Sequence, residues 1–376
     1  MNVVLIGSAG RCGIHEYSQI LLEGFRQLGH RARYIGVRRH DNQDLAESIR
    51  SIEDDDELIV FEYEPGIFWL GGLIQAMAWL RFGRRKRVLL SVHEIAAEKY
   101  PEFHRIRNHL TRPLSRRGLL GIVQLLASAF DVLLRFLMLR GALLMLGRLP
   151  HAVLIHSPKA AENIRLILAN DYKTRYIPLV SKRLEGDKRA LRERLGLPQD
   201  VFSFIIPGFL FRRKRIIEVI KQLPAGAELW IVGTPSEYEP GYLEEIEEFL
   251  AHSEKSEQVR LSHDYDTMEQ YLLAADVVVL FYSDVYQSAT ASLAVGAGKP
   301  CVFSDLPAFR DLQEAGLTAR TATELHQTMV KIQGPDCYRQ LVAATQSLRE
   351  RFNPKRIAGA YLQCLSPRAR EQQVET

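Results

Sequence analysis

Paired cysteines are missing from this chain. Only Cys12, Cys301, Cys337 and Cys364 occur in 376 residues, with no CxxC and no regular spacing. That speaks against a disulfide framework or a zinc site and suits a reducing cytoplasm. A long uncharged apolar run is also missing. In the Leu-rich stretch Gly118–Leu149 the longest is Gly118–Phe130, too short to cross a bilayer. The opening MNVVLIGSAG lacks the basic segment of a signal peptide and reads as a first buried strand. A complete GxGxxG is absent, and so is an acid placed to hold a nicotinamide cofactor's ribose, which weakens a dinucleotide oxidoreductase reading. The basic residues carry no interleaved aromatics for base stacking, which disfavours nucleic acid as a partner.

What is present is an alternation of short apolar runs with longer amphipathic ones, the pattern of parallel sheets wrapped by helices. The length suits two α/β domains, and the 47% apolar and 25% charged content suits a folded enzyme ahead of a polar tail after Ser366. The first series predicts strands at Asn2–Ile6, Arg33–Val37, Leu58–Glu62, Val88–Val92 and Ala152–Ile155, with a short piece at Thr174–Pro178. A helix from about Ile14 to Leu28 stops at Gly29. The second series predicts strands at Phe202–Pro207, Glu228–Val232, Val259–Leu261, Val277–Phe281 and Cys301–Phe303. Helices fall at Ile216–Gln222, Tyr242–His252, Thr267–Ala275 and Ala289–Gly296. Pro178–Leu197 reads as the linker, and a last helix spans Pro354–Leu365.

Charge is uneven. Between Arg81 and Arg148 fourteen lysines and arginines face four acids, so the remainder of this chain of net charge +4 carries −6. This asymmetry points to an anionic surface. Residues 105–149 therefore read as a monotopic membrane face, with Arg105, Arg107, Arg112, Arg116 and Arg117 beside the Leu-rich stretch and Trp79 nearby. One or two helices buried against the first domain is the alternative.

Three segments can carry chemistry. The turn from Gly7 to Gly13, between a strand and a helix, lets backbone N–H groups approach an anion, and equally suits a tight turn with no ligand. Gly208 opens a second segment that ends in Arg212, Arg213, Lys214 and Arg215. Four adjacent cations at the carboxyl end of a strand suit a diphosphate, although a solvated basic helix start is the alternative. The third segment, Asp284 through Ser288, Ala289 and Thr290, opens a helix with small and hydroxyl residues that suit a phosphate or an ordinary cap. A metal is not implied. Asp264 and Asp266 read as a helix cap, and Asp54–Asp56 follows a surface helix.

In order along the chain these pieces resemble the GT-B glycosyltransferases, and among them the retaining, family-4-like branch. Gly13-Ile-His-Glu-Tyr17 through Gly29-His30 resembles that group's glycine loop and first helix. Phe61-Glu-Tyr-Glu-Pro-Gly66 resembles the end of its third strand, and Ser91-Val-His93-Glu94 its T-x-H strand end. Gly208 with Lys214 six residues on resembles its G-R-L-x-x-x-K-G signature. Leu272–Asp276, Gly298-Lys-Pro300 and Ser304-Asp305 resemble late segments of its donor domain.

The resemblance implies an α/β fold of two Rossmann-like domains facing across a cleft. The first, 1–180, would bind the acceptor and carry the membrane-facing segment 105–149. The second, 198–352, would bind a nucleotide diphosphate sugar, and a helix at 353–366 would return to the first. The implied activity is hexosyl transfer to a hydroxyl of a lipid-linked or polysaccharide-precursor acceptor at the inner face of the membrane, with retention. No cofactor or metal is implied. Lys214 would contact the donor phosphates, with Gly13, Gly208, Asp284, Ser288, Ala289 and Thr290 around the donor. His93 would lie near the transferred sugar, positioning it while the departing phosphate takes the acceptor's proton.

The sequence departs from the pattern twice. Phe209 stands where the group has an arginine, a role left to Arg212 or Arg213. Val285 and Leu293 stand at the paired glutamates, where Asp284 covers part of the first role. The second departure keeps another reading open, a non-catalytic GT-B-like subunit that binds a partner glycosyltransferase or a membrane.

Overall fold

The computed structural model describes all residues except 11, 94–133, 135–136, 158–159, 161–172 and 367–376. Most of the basic, Leu-rich segment expected at the membrane therefore lies outside the described residues. The chain forms two compact units, residues 1–177 with the chain from Ala358 on, and Pro178–Ile357.

The first unit is built on a six-stranded parallel sheet of order β2-β1-β3-β4-β5-β6. Its strands are β1 Asn2–Ser8, β2 Arg31–Val37, β3 Asp56–Tyr63, β4 Arg87–Val92, β5 Ala152–Ile155 and β6 Thr174–Tyr176. The helix Gly13–Gln27 ends where the sequence signals it. Gly29 takes φ +82°, its N–H reaches Arg26 O, and the His30 N–H reaches Phe25 O. This is a Schellman closure, which needs a residue free to enter the left-handed region.

The second unit repeats the architecture with order β12-β11-β10-β7-β8-β9. Its strands are β7 Phe202–Pro207, β8 Ala227–Val232, β9 Val259–Ser262, β10 Val277–Leu280, β11 Cys301–Ser304 and β12 Gly316–Ala319. Both faces of this sheet are dry. Ile205, Trp230, Val232, Val278 and Leu280 enter one apolar cluster, and Phe204, Ile206, Leu229, Ile231, Val277 and Val279 enter the other. That alternation on two buried faces is why these strands read as continuous apolar runs.

Two of the differences from the sequence expectation bear on how the second unit is packed. β12 has no strong apolar signature because Gly316 is needed for close approach: a Cβ there would lie 2.1 Å from Cys301 O. The segment read as a linker is folded into the second unit. Asp187 caps the helix Lys188–Arg194, accepting from the Ala190 N–H at 2.7 Å. Arg192 is buried there against Asp276. A run of charges looked solvated, yet this arginine finds a hydrogen-bond partner for each of its nitrogens.

In both sheets the strand order reverses beside the first strand, between β1 and β3 and between β7 and β10. Crevices at the carboxyl ends of such strands are where open α/β sheets bind ligands.

Candidate functional site

In the second unit, Gly208 directly follows β7 at the switch point. Its φ is +83°, a conformation that glycine adopts without cost. Its N–H donates to Val232 O at 2.9 Å. Gly233, at the end of β8, permits this turn, because a Cβ there would lie 2.2 Å from Gly208 O. The chain then makes a short 3-10 turn, Arg212–Lys214, and Arg215 follows with φ +53°. A non-glycine residue in that region is uncommon and persists where its surroundings fix it. Here the Arg215 guanidinium lies 4.3 Å from the Phe281 ring centroid and pairs with Glu218.

This turn directs Lys214 inward. The side chain is buried, and Nζ donates to Pro207 O at 2.6 Å. A Cβ on Gly208 would lie 3.5 Å from Lys214 Nζ and 3.7 Å from Thr290 Oγ1, so the three groups converge. Burial, with the charge of Arg213 adding to it, pushes the Lys214 ammonium down to about 7. Among the described residues no carboxylate pairs with it.

The third sequence segment meets this turn from β10. Ser283 N–H donates to Arg213 O at 2.8 Å. Ser288 caps the helix Ala289–Gly296, accepting from the Ala291 N–H at 3.1 Å, so its ordinary capping role is fulfilled. Asp284 and Ala289 are exposed. Tyr282 is buried beside Thr290 and Ser288, and burial holds its phenol above the usual range.

The two arginines separate. The Arg212 guanidinium forms a two-pronged pair with Glu245, and the Arg212 backbone N–H donates to Glu239 Oε2 at 2.5 Å. Arg213 lies over Phe211, 4.7 Å from the ring centroid, and close enough to Lys214 to depress its titration. Phe209 is exposed. Of the positions that depart from the glutamate pattern, Val285 is core, at 2% exposure, and Leu293 packs against the same cluster.

In the first unit, Gly13 opens the helix Gly13–Gln27 after Cys12, whose side chain makes no cap hydrogen bond. A Cβ on Gly13 would meet nothing within 4 Å. His93, just past β4, is buried, with Nε2 at 2.6 Å from Glu62 Oε2. In-register pairing aligns Glu62 of β3 with Ser91 of β4, and strand alternation puts His93 on the face of Ser91. Ser91 Oγ lies 2.5 Å from Glu62 Oε2, 2.8 Å from His156 Nε2 and 3.1 Å from Tyr361 Oη. Tyr17 Oη completes the cluster, 2.7 Å from Tyr361 Oη.

Sequence reasoning named only His93 of this cluster as a site residue. The available signal was a carboxylate and a histidine in or beside otherwise apolar strands, Glu62 and His156. Of the acidic groups considered for a metal, Asp264 accepts from the Asp266 N–H at 3.0 Å and Asp56 pairs with Arg33. Among the described residues no three His, Cys, Asp or Glu side chains are grouped to hold an ion.

The sequence matches no protein-family profile and no curated protein. Solved structures resemble it over nearly their full length. HepE of Anabaena, solved in complex with UDP, is 14% identical, with 97% of this chain and 99% of that chain covered at TM-score 0.69. Starch synthase IV of Arabidopsis thaliana, bound to ADP and acarbose, is 13% identical, with 97% and 98% covered at 0.66. WaaG, a glycosyltransferase involved in lipopolysaccharide biosynthesis, is 13% identical, with 96% and 99% covered at 0.53. The fold is thus the two-Rossmann GT-B fold that the sequence resemblance implied.

Proposed function

We propose that the protein is a glycosyltransferase that uses a nucleoside diphosphate sugar, with the diphosphate held by the second unit around Gly208, Lys214 and Thr290. The observation that carries this reading is Lys214, a buried lysine at the sheet's switch point with no carboxylate partner among the described residues. A diphosphate would supply the missing charge. When the sugar leaves, negative charge grows on the phosphate oxygens, and a fixed ammonium with hydroxyl and N–H donors stabilises it without reorganisation. Arg213 is the better placed of the two arginines to add to this field, since Arg212 is occupied by Glu245. UDP and ADP complexes among proteins of the same fold support the donor class.

His93 is the residue assigned to the transferred sugar, as a positioning group, with the departing phosphate taking the acceptor proton and the configuration retained. The first unit would bind the acceptor. No metal is required, because side-chain cations do that work. The reading of the acceptor draws support from the first unit, where Trp79, Phe82, Leu137, Met138 and Met145 are exposed, Arg81 lies over Phe82 and Arg84 over Trp79. Apolar side chains mixed with arginines suit an anionic bilayer and a lipid-linked or polysaccharide-precursor acceptor at the cytoplasmic face. Among the described residues no helix is long and apolar enough to cross a membrane.

Val285 and Leu293 favour a second reading, a non-catalytic subunit, because core aliphatics cannot grip sugar hydroxyls. Thermal shift against UDP, GDP, ADP, CMP and dTDP separates the two. One diphosphate raising the melting temperature of the wild type but not of Lys214→Ala supports the enzyme. No shift with any of them sinks the donor site.

A further inference from the structure

The Glu62 cluster poses a problem of hydrogen counting. His156 Nδ1 lies 2.8 Å from Ile177 O, and a carbonyl only accepts, so Nδ1 carries a hydrogen. A neutral His156 then aims the lone pair of Nε2 at Ser91 Oγ, 2.8 Å away. An ionised Glu62 would aim a lone pair at the same oxygen, from 2.5 Å. Serine owns one hydrogen and cannot serve both. One of these contacts would set lone pair against lone pair, so the line Glu62–Ser91–His156 holds one proton more than a carboxylate and a neutral imidazole supply. Making His93 a cation does not help, because its contact is with Glu62 and not with Ser91.

The surroundings decide which end keeps the proton. Burial holds the His156 imidazole well below its ordinary range, against the opposing pull of the Ile177 carbonyl. Glu62 is wholly buried, and among the described residues its Oε1 has no hydrogen-bond partner, which is costly for a carboxylate. The titratable groups around it are Tyr17 from the first helix, Tyr34 from β2, His93 after β4, His156 after β5 and Tyr361 from the last helix. Among the described residues no lysine or arginine pairs with it.

We infer that Glu62 is a neutral carboxylic acid at neutral pH and is the positioning residue that fixes which nitrogen of His93 carries the hydrogen. The acid donates to Ser91, Ser91 donates to His156, and the same Glu62 oxygen accepts from His93 Nε2–H. Tyr17 donates to Tyr361 and Tyr361 to Ser91, so each hydroxyl donates once. A neutral His93 held this way presents its Nε2 hydrogen to Glu62. Its use toward a sugar hydroxyl rests on the function proposed above, whereas the proton's location does not.

The test uses the full chain, labelled with 15N-histidine and 13C-glutamate, without ligand. Imidazole 15N shifts should show His156 neutral and protonated on Nδ1, and His93 protonated on Nε2. Infrared spectra should show a carboxylic-acid carbonyl band that Glu62→Gln removes. In Glu62→Gln the amide donates to both Ser91 and His93 Nε2, so His93 should switch to the Nδ1–H tautomer while His156 does not change. A merely structural Glu62 would not produce that switch. A doubly protonated His156 at neutral pH, or a wild type without the acid band, overturns the inference. Both readouts exist in the wild type, so they survive a variant that fails to fold. If sugar transfer is measurable, Glu62→Gln should lower kcat on the order of 10- to 100-fold with donor KM little changed. If the spectra hold and no transfer is found, the proton assignment stands and the proposed function fails.

Discussion

Arg192 and Lys214 are both buried cations of the second unit, and protein groups solvate them in opposite ways. Arg192 is 1% exposed and Lys214 4%. Arg192 gives Nε to Ala274 O, Nη1 to the carbonyls of Pro198, Gln199 and Val201, and Nη2 to Ser203 Oγ and Asp276 Oδ2. Burial alone would push the Asp276 carboxyl up, but Lys188, the Ser203 backbone and Arg192 together hold it below the usual range. Lys214 has one carbonyl and a second cation nearby. A buried charge that comes with its counter-ion is architecture. A buried cation without one among the described residues is held at the expense of stability, and the proposed diphosphate site rests on it.

The largest effect should come from breaking the satisfied partner. Arg192→Met leaves Asp276 buried with Lys188 as its remaining cation, and removing one member of a buried pair costs about 3–5 kcal/mol. At roughly 2–4 °C per kcal/mol for a unit of this size, the melting temperature should fall by about 10 °C. Trp230 reports it directly, because the Arg192 guanidinium lies 5.3 Å from its ring centroid. A loss below about 1 kcal/mol would erase the contrast between the two cations.

Lys214→Met should move in the other direction. Without ligand the variant should be more stable than wild type at pH 7, by about 1–4 kcal/mol, while the diphosphate-induced shift disappears. The pH dependence carries the same sign. The ammonium titrates at about 7 in the folded chain, against 10.5 ordinarily. Between those values the unfolded chain holds a proton that the folded chain lacks. Stability therefore rises with pH across this window, by at most about 1.4 kcal/mol per unit, and gains nothing from this group below it. Lys299, held down to about 8 by burial, contributes a similar slope. The readout is thus the difference between wild-type and Lys214→Met denaturation curves from pH 7 to 10. Identical slopes would mean that Lys214 stays charged in the folded chain up to its ordinary range and is already compensated.

These two side chains also mark what the sequence could reveal. Lys214 was legible because Gly208 and a run of cations follow an apolar strand, a local pattern tied to a known place in the fold. Arg192 was not, because its partners Ser203 and Asp276 are distant in sequence and its own segment reads as solvated charge. The sheets were legible because strands buried on both faces are apolar throughout. The helix Ala322–Ile332 was missed despite its cap, Thr321 accepting from the Glu324 N–H at 3.1 Å, a signal carried by spacing and not by hydrophobicity. In the first unit, Ser91 and Tyr361 are ordinary residues until register and the last helix bring them to Glu62.

Gly208→Ala should have a smaller effect, which divides into two parts. At φ +83° a Cβ costs about 1–2 kcal/mol of backbone strain. It would also occupy the space between Lys214 Nζ and Thr290 Oγ1. Gly226 offers the control, with φ +77° and nothing within 4 Å of its Cβ position. Gly226→Ala should show the same stability loss and unchanged diphosphate binding. Gly208→Ala should add at least a roughly tenfold weaker affinity, comparable to losing one charge-assisted hydrogen bond. Equal binding by both variants would move the diphosphate away from this turn.

The smallest effects should distinguish the neighbouring arginines. Arg212 is exposed and occupied by Glu245, so Arg212→Ala should leave diphosphate binding within about twofold, as expected of a surface pair. Arg213 opposes the charging of Lys214, so Arg213→Ala should let the ammonium titrate above about 7. Diphosphate affinity measured against pH would then decline at higher pH than in wild type, even where the affinity at pH 7 changes little. If Arg212→Ala moves that midpoint and Arg213→Ala does not, the assignment of the two arginines is reversed. The field at Lys214 would then come from a side chain that releases Glu245 when the anion arrives.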